Sequence, residues 1–231
     1  MSERGKYIVI EGSDGTGKST QAIDLSQQLE LLGHRTLNVL NDDTLLLEPV
    51  QEPGGTPRAN ELRRRIKDRS IPRTPWENVE WFTEARASVW NEAILPALEN
   101  GIHVVTARNF WSTIAYQGYG EGIPIDEIME YTRENVGEGY MTPDLMCILA
   151  LKNEQVRRSR IQGRGTDATA DTFESMPDDF QERMQFGYID FAEKNGLQPV
   201  DATRDQDAVF DDIWEQTETL LLPKHHLRLA A

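Results

Sequence analysis

Residues 7–21 read YIVIEGSDGTGKSTQ, an apolar run, a glycine-rich loop and the opening of a helix. Gly12 to Ser19 fit the pattern G-x-x-x-x-G-K-[ST], with a strand before it and a helix after it, the context that gives the pattern meaning. Glycines let the backbone wrap so that its N–H groups converge on phosphates, and the helix N-terminus adds partial positive charge. In such a loop the lysine, here Lys18, bridges the β and γ phosphates, and the hydroxyl of Ser19 holds Mg²⁺. The residues expected around the phosphates of ATP are therefore Gly12, Ser13, Asp14, Gly15, Thr16, Gly17, Lys18, Ser19 and Thr20.

The rest of the chain continues the alternation. Strand-like runs lie at 6–12, 35–40, 102–107, 145–151 and, weakly, 197–202, with helical stretches at 18–32, 57–68, 76–100, 125–136, 153–162, 178–195 and 205–221. That order predicts an α/β fold of the P-loop NTPase kind: a five-stranded parallel sheet, helices on both faces, and ligands at the carboxyl ends of the strands. The 231 residues are read as one domain, with the polar stretch at about 157–179 as a mobile lid. The tail PKHHLRLAA reads as a frayed end, and 41–55 as an irregular connection.

Composition narrows the partners. A net charge of −15 argues against binding along a nucleic-acid backbone. No leader pattern and no run of about 18 apolar residues is present, so the expected location is cytoplasmic, away from any membrane. The single cysteine, Cys147, stands in the apolar run LMCILAL and reads as a small buried hydrophobe. An anionic substrate then needs a local basic pocket, and arginines concentrate at 62–69 and 157–164. GTPases and motor ATPases carry the same loop, but there is no N-K-x-D motif and the chain is short for a motor. A small-molecule kinase that closes over both substrates fits better.

Further segments follow in order: EPGGTP (52–57), LR (62–63), WFTEAR (81–86), RNFWSTIAYQG (108–118) and TPDL (142–145). With the loop, they resemble the signature segments of the thymidylate kinase family, whose members phosphorylate dTMP with ATP, and the resemblance runs from Tyr7 to about Tyr188. It implies that Asp14 contacts the sugar 3′-hydroxyl, that Glu52 lies near the sugar and phosphate, and that Arg63 and Arg108 grip the acceptor phosphate. A surface role for Arg63 stays open, since Arg64 and Arg65 adjoin it. The resemblance also implies that Phe82 stacks on the thymine while Arg86 bonds a ring carbonyl, and the spacing of four puts both on one helix face. Ser112 and Thr113 resemble positions facing the base's polar edge; Tyr116 resembles the residue crowding the ribose 2′ position, with Gln117 beside it. Lid arginines supplied to the transferring phosphoryl group are expected to be Arg160 and Arg164, with Arg157 a helix-surface charge. The catalytic set is then Lys18, Arg108, Arg160 and Arg164. The resemblance alone implies a homodimer, with contacts from 76–100 and 125–136.

The chain departs from the family pattern at Ala107, where an aspartate usually precedes the arginine, and at Gln51 and Ala150. Glu11, Asp14 or Glu52 is expected to compensate through water. Alternatives stay open: a kinase for another monophosphate such as dUMP, or a nucleotide-binding protein with weak catalysis. The retained loop and arginines favour the working kinase.

Overall fold

Apolar runs too short for helices alternate along this chain with amphipathic stretches, and in the structure they become the layers of one sandwich. The structure is a computed structural model that describes residues 3–40, 50–68, 70–151, 154–162, 173 and 176–222. In chain order its elements are β1 (Tyr7–Gly12), α1 (Lys18–Leu31), β2 (Thr36–Leu40), β3 (Val50–Gln51), α2 (Pro57–Lys67), α3 (Pro75–Val89), α4 (Leu95–Glu99), β4 (His103–Ala107), α5 (Phe110–Thr113), α6 (Ile125–Asn135), α7 (Glu138–Met141), β5 (Leu145–Ala150), α8 (Glu154–Gln162), α9 (Asp178–Lys194), β6 (Val200–Asp201) and α10 (Gln206–Leu221). Two π-helical stretches, Trp90–Ile94 and Ile114–Gly120, extend α3 and α5.

The sheet order is β3-β2-β4-β1-β5-β6, and every pairing is parallel. All five expected strands are present. The last is only two residues long, and the two-residue β3 adds an edge next to β2. Side chains alternate across β1: Tyr7 and Val9 join the larger apolar core with Val89, Leu98 and Phe191, whereas Ile8 and Ile10 join the smaller one with Ala22, Leu25 and Ile213. Both faces are thereby covered, as a parallel sheet requires. Cys147 lies in the second core, and burial pushes its thiol up to about 12, so it is inert packing.

Helix starts are written locally. Thr56 caps α2 by accepting from Ala59 N at 3.2 Å, and Thr74 and Glu77 close a capping box on α3, each with proline at the first turn. The single helix expected over 76–100 is α3, a π turn and α4. Residues 110–120, not expected to be helical, form α5 and its π extension. The 41–49 part of the irregular connection and the tail 223–231 lie outside the described residues. Among the described residues no helix is long and apolar enough to cross a membrane.

Candidate active site

The loop leaves β1 with Gly12, Gly15 and Gly17 at φ of 148°, 90° and 89°. At Gly12 the close neighbour is backbone: a Cβ would sit 2.5 Å from the Leu149 carbonyl oxygen, so only glycine fits. Thr16 ties the loop to itself, its hydroxyl donating to the Ser13 carbonyl at 2.8 Å. α1 begins at Lys18 with no side-chain cap and no acidic residue in its first turn, which leaves its first N–H groups and its partial positive charge for an anion. Lys18 is buried, donating to the Ser13 carbonyl at 3.3 Å and to Asp14 Oδ1 at 3.2 Å. Ser19 is half-buried and Thr20 exposed.

Asp14 joins this loop to a second cavity. Arg108 Nη2 and Lys18 share its Oδ1, and the Tyr116 hydroxyl donates to its Oδ2 at 2.7 Å. The cavity is a cleft of about 550 Å³, partly open to solvent, lined by Asp14, Pro53, Arg63, Ile66, Lys67, Phe82, Arg86, Arg108, Ser112, Thr113, Tyr116, Gln117 and Phe173. The structure thus gathers Arg63, Phe82, Arg86, Arg108, Ser112, Thr113, Tyr116 and Gln117, expected from distant segments, around one space.

Each is held. Arg63 donates to the Pro53 carbonyl at 2.9 Å. Arg86, 2% exposed, donates from Nε to Glu52 at 3.1 Å and from Nη1 to Thr113 Oγ1 at 2.6 Å, with its guanidinium 5.2 Å from the Phe82 ring. Arg108 has φ of 97°, rare for a residue with a side chain and strained by about 1–3 kcal/mol. That turn aims its guanidinium at Asp14, Ser112 and Tyr188. Burial alone would lower its pKa; Asp14, with Tyr116, Tyr188 and Glu11, reverses this and holds it well above its ordinary value. The π extension of α5 turns Tyr116 and Gln117 onto the cleft one turn after Ser112 and Thr113. Gln117 is anchored by its amide to Glu121 at 3.0 Å.

Three expectations are corrected. Glu52 does not line the cleft: it is fully buried beneath Arg86, accepting also from the Tyr140 hydroxyl at 2.5 Å, and burial raises its pKa to about 7. It holds Arg86 from behind, where a sugar has no access. Arg160 turns away from the loop and donates to the carbonyls of Ala202 and Arg204, at 2.8 and 3.4 Å. Arg157, expected on the surface, is instead 5% exposed and rests on the loop, its Cγ 3.2 Å from where a Gly15 Cβ would stand. On α8 it is Arg157 and Ile161, four residues apart, that face Gly15, while the Arg160 head is taken by the carbonyls of Ala202 and Arg204. Arg164 and most of the lid stretch lie outside the described residues.

The acidic groups expected to replace the missing aspartate are committed elsewhere. Glu11 accepts from Gly12 N, Asn109 N, Ser112 N, Ser112 Oγ and Tyr188 OH, and so fixes the turn that follows β4. Ala107 is fully buried in the smaller apolar core. Among the described residues no group of three or more His, Cys, Asp or Glu is arranged to hold a metal. Ser19, half-buried in the first turn of α1, offers a hydroxyl that fits a metal arriving on a nucleotide's phosphates.

Lys67, Ile66 and Phe173 were not anticipated. Lys67 follows Arg63 by four residues, so helical spacing carried the signal. Phe173 is an aromatic isolated in a polar stretch, which only its oddness there marks.

The family model described as thymidylate kinase matches residues 10–213. A protein of Gluconobacter oxydans named thymidylate kinase is 34% identical over 211 residues, covering 90% of this chain and 92% of that one. One of Pelotomaculum thermopropionicum with the same name is 33% identical over 223 residues, covering 94% and 95%. The crystal structure of thymidylate kinase from Ehrlichia chaffeensis superposes with a TM-score of 0.68 at 23% identity, over 93% of this chain and 99% of that one, which shows a shared fold.

Proposed function

We propose, because this chain belongs to the thymidylate kinase family, that it transfers the γ-phosphoryl group of ATP to dTMP, giving ADP and dTDP. The observation that carries the reading is the junction at Asp14: a phosphate-binding loop and a cleft built of aromatic rings and buried arginines share one carboxylate. ATP would lie on the loop with Lys18 at its phosphates, and Mg²⁺, held by those phosphates and Ser19, would supply charge neutralisation. Phosphoryl transfer has a loose transition state and asks the protein mainly for alignment and positive charge.

The cleft residues divide that work. Arg63 and Arg108 hold the acceptor phosphate, which is already ionised and needs no strong general base. Phe82 and Arg86 take the base, with Thr113 bonded to Arg86; Asp14 and Tyr116 face the sugar. Arg157 stands where a cation over the loop neutralises the transferring group, with Arg164 as the further lid candidate. We take the chain as one kinase domain with its lid at about 157–179, working as a homodimer. The relatives give no support to a different acceptor or to a non-catalytic binding protein.

ADP release from ATP and Mg²⁺ with dTMP, dUMP, dCMP, dGMP, dAMP and UMP as acceptors tests this. The expected result is turnover with dTMP at least about tenfold faster than with dCMP, dGMP or dAMP at equal concentration, because Arg86 and Thr113 read the base edge; dUMP and UMP present that same edge and differ from dTMP by the 5-methyl group and, in UMP, the 2′-hydroxyl. Equal rates across the panel, or none with dTMP, would overturn it.

A further inference from the structure

Among the described residues of its stretch, Phe173 is the one that lines the cleft, and its placement is not incidental. Its backbone is anchored: the Phe173 carbonyl accepts from the buried amide of Gln181, in the first turn of α9, at 2.6 Å, and from Met176 N at 3.2 Å. Its ring is 7% exposed and touches three others. Phe82 lies 6.1 Å away at 41°, Tyr116 5.4 Å away and nearly perpendicular at 79°, and Phe180 6.3 Å away and stacked at 20°. α9 therefore holds the ring from behind while Phe82 and Tyr116 meet it from the cleft side.

We infer that Phe173 is a specificity-determining residue of the acceptor site, forming the second aromatic wall of the base slot and bracing the ring that faces the sugar. The inference rests on reading this cleft as the acceptor-nucleotide site. Phe82 and Phe173 touch each other as a wedge, 6.1 Å between centroids at 41°, so a base stacked on Phe82 would meet Phe173 obliquely at its edge. The same ring packs edge-on against Tyr116, whose hydroxyl is bonded to Asp14. Removing Phe173 therefore opens the base slot and unprops Tyr116 together. One residue governs two selectivities, for the base and for the absent 2′-hydroxyl.

The test compares Phe173→Ala, Phe173→Leu and Phe173→Tyr with the wild type in steady-state kinetics. Phe173→Ala should raise the KM for dTMP about tenfold, in line with the loss of one base–aromatic contact, leave the KM for ATP unchanged, and lower the preference for dTMP over its ribose counterpart. Phe173→Tyr should restore both. Unchanged KM for dTMP and unchanged sugar preference, or parallel rises in both KM values, would overturn the inference. Should Phe173→Ala fail to fold, Phe173→Leu keeps the bulk without the aromatic face; wild-type KM for dTMP in that variant would equally overturn it.

Calorimetric binding of thymidine, which carries base and sugar without phosphate, separates this inference from the functional reading. If the wild type turned over no dTMP, that reading would fail, yet thymidine binding weakened by Phe173→Ala would still support the wall. Thymidine binding that is absent in the wild type, or unaffected by the substitution, would overturn it.

Discussion

Glu52 has one oxygen shared by Arg86 and Tyr140, while the other is buried with no hydrogen-bond partner. Desolvation raises its pKa from 4.5 to about 7, against the pull of Arg86. Between those values the native state keeps a proton that the unfolded chain has lost, so this group's contribution makes stability fall as pH rises through that window. Glu52→Gln should flatten that part of the melting-temperature curve. It should also raise the KM for dTMP about fivefold, because Arg86 loses a charged partner, and leave the KM for ATP unchanged; an equal rise in both would show a general distortion. The family resemblance implied that Glu52 lies near the substrate, and a position in a motif does not say which side of an arginine a carboxylate occupies. The family resemblance marked out Arg86, and its spacing of four from Phe82 agreed, placing both side chains on one helix face.

At the scale of elements, α8 decides which arginine serves the loop. On that helix Arg157 and Ile161, four residues apart, rest on Gly15, while Arg160 ties the helix to the carbonyls of Ala202 and Arg204. Arg157→Ala should therefore lower kcat about 10²-fold or more. Arg160→Ala should leave kcat within about threefold and lower the melting temperature by a few degrees, for loss of its carbonyl contacts. The reverse order of effects on kcat would contradict the placement. Most elements were readable because strands of a sheet covered on both faces read as short continuous apolar runs, set between helical stretches with spaced apolar residues. The π extension of α5 was not: NFWSTIAYQGYG carries glycine and β-branched residues that argue against helix, and tertiary packing against α9 overrides that preference. β3 is two residues long and leaves no periodicity to read.

At the scale of the whole molecule, a chain with net charge −15 presents an anionic substrate with a cleft that holds Arg63, Lys67, Arg86 and Arg108 beside Lys18. Positive potential is local, focused between low-dielectric walls and not spread over the surface. Assembly belongs to this scale too. The proposed homodimer, with contacts expected from α3, α4 and α6, predicts twice the chain mass by light scattering at working concentration, and a monomeric mass would contradict it. The central claim, however, is that this chain phosphorylates dTMP although Ala107 replaces the family's aspartate. Formation of dTDP from ATP, Mg²⁺ and dTMP by the wild type beside Ala107→Asp tests it most directly. The account predicts rapid dTDP formation by the wild type, the metal arriving with the nucleotide and needing only Ser19 from the loop. No dTDP from the wild type, with formation restored by Ala107→Asp, would contradict it.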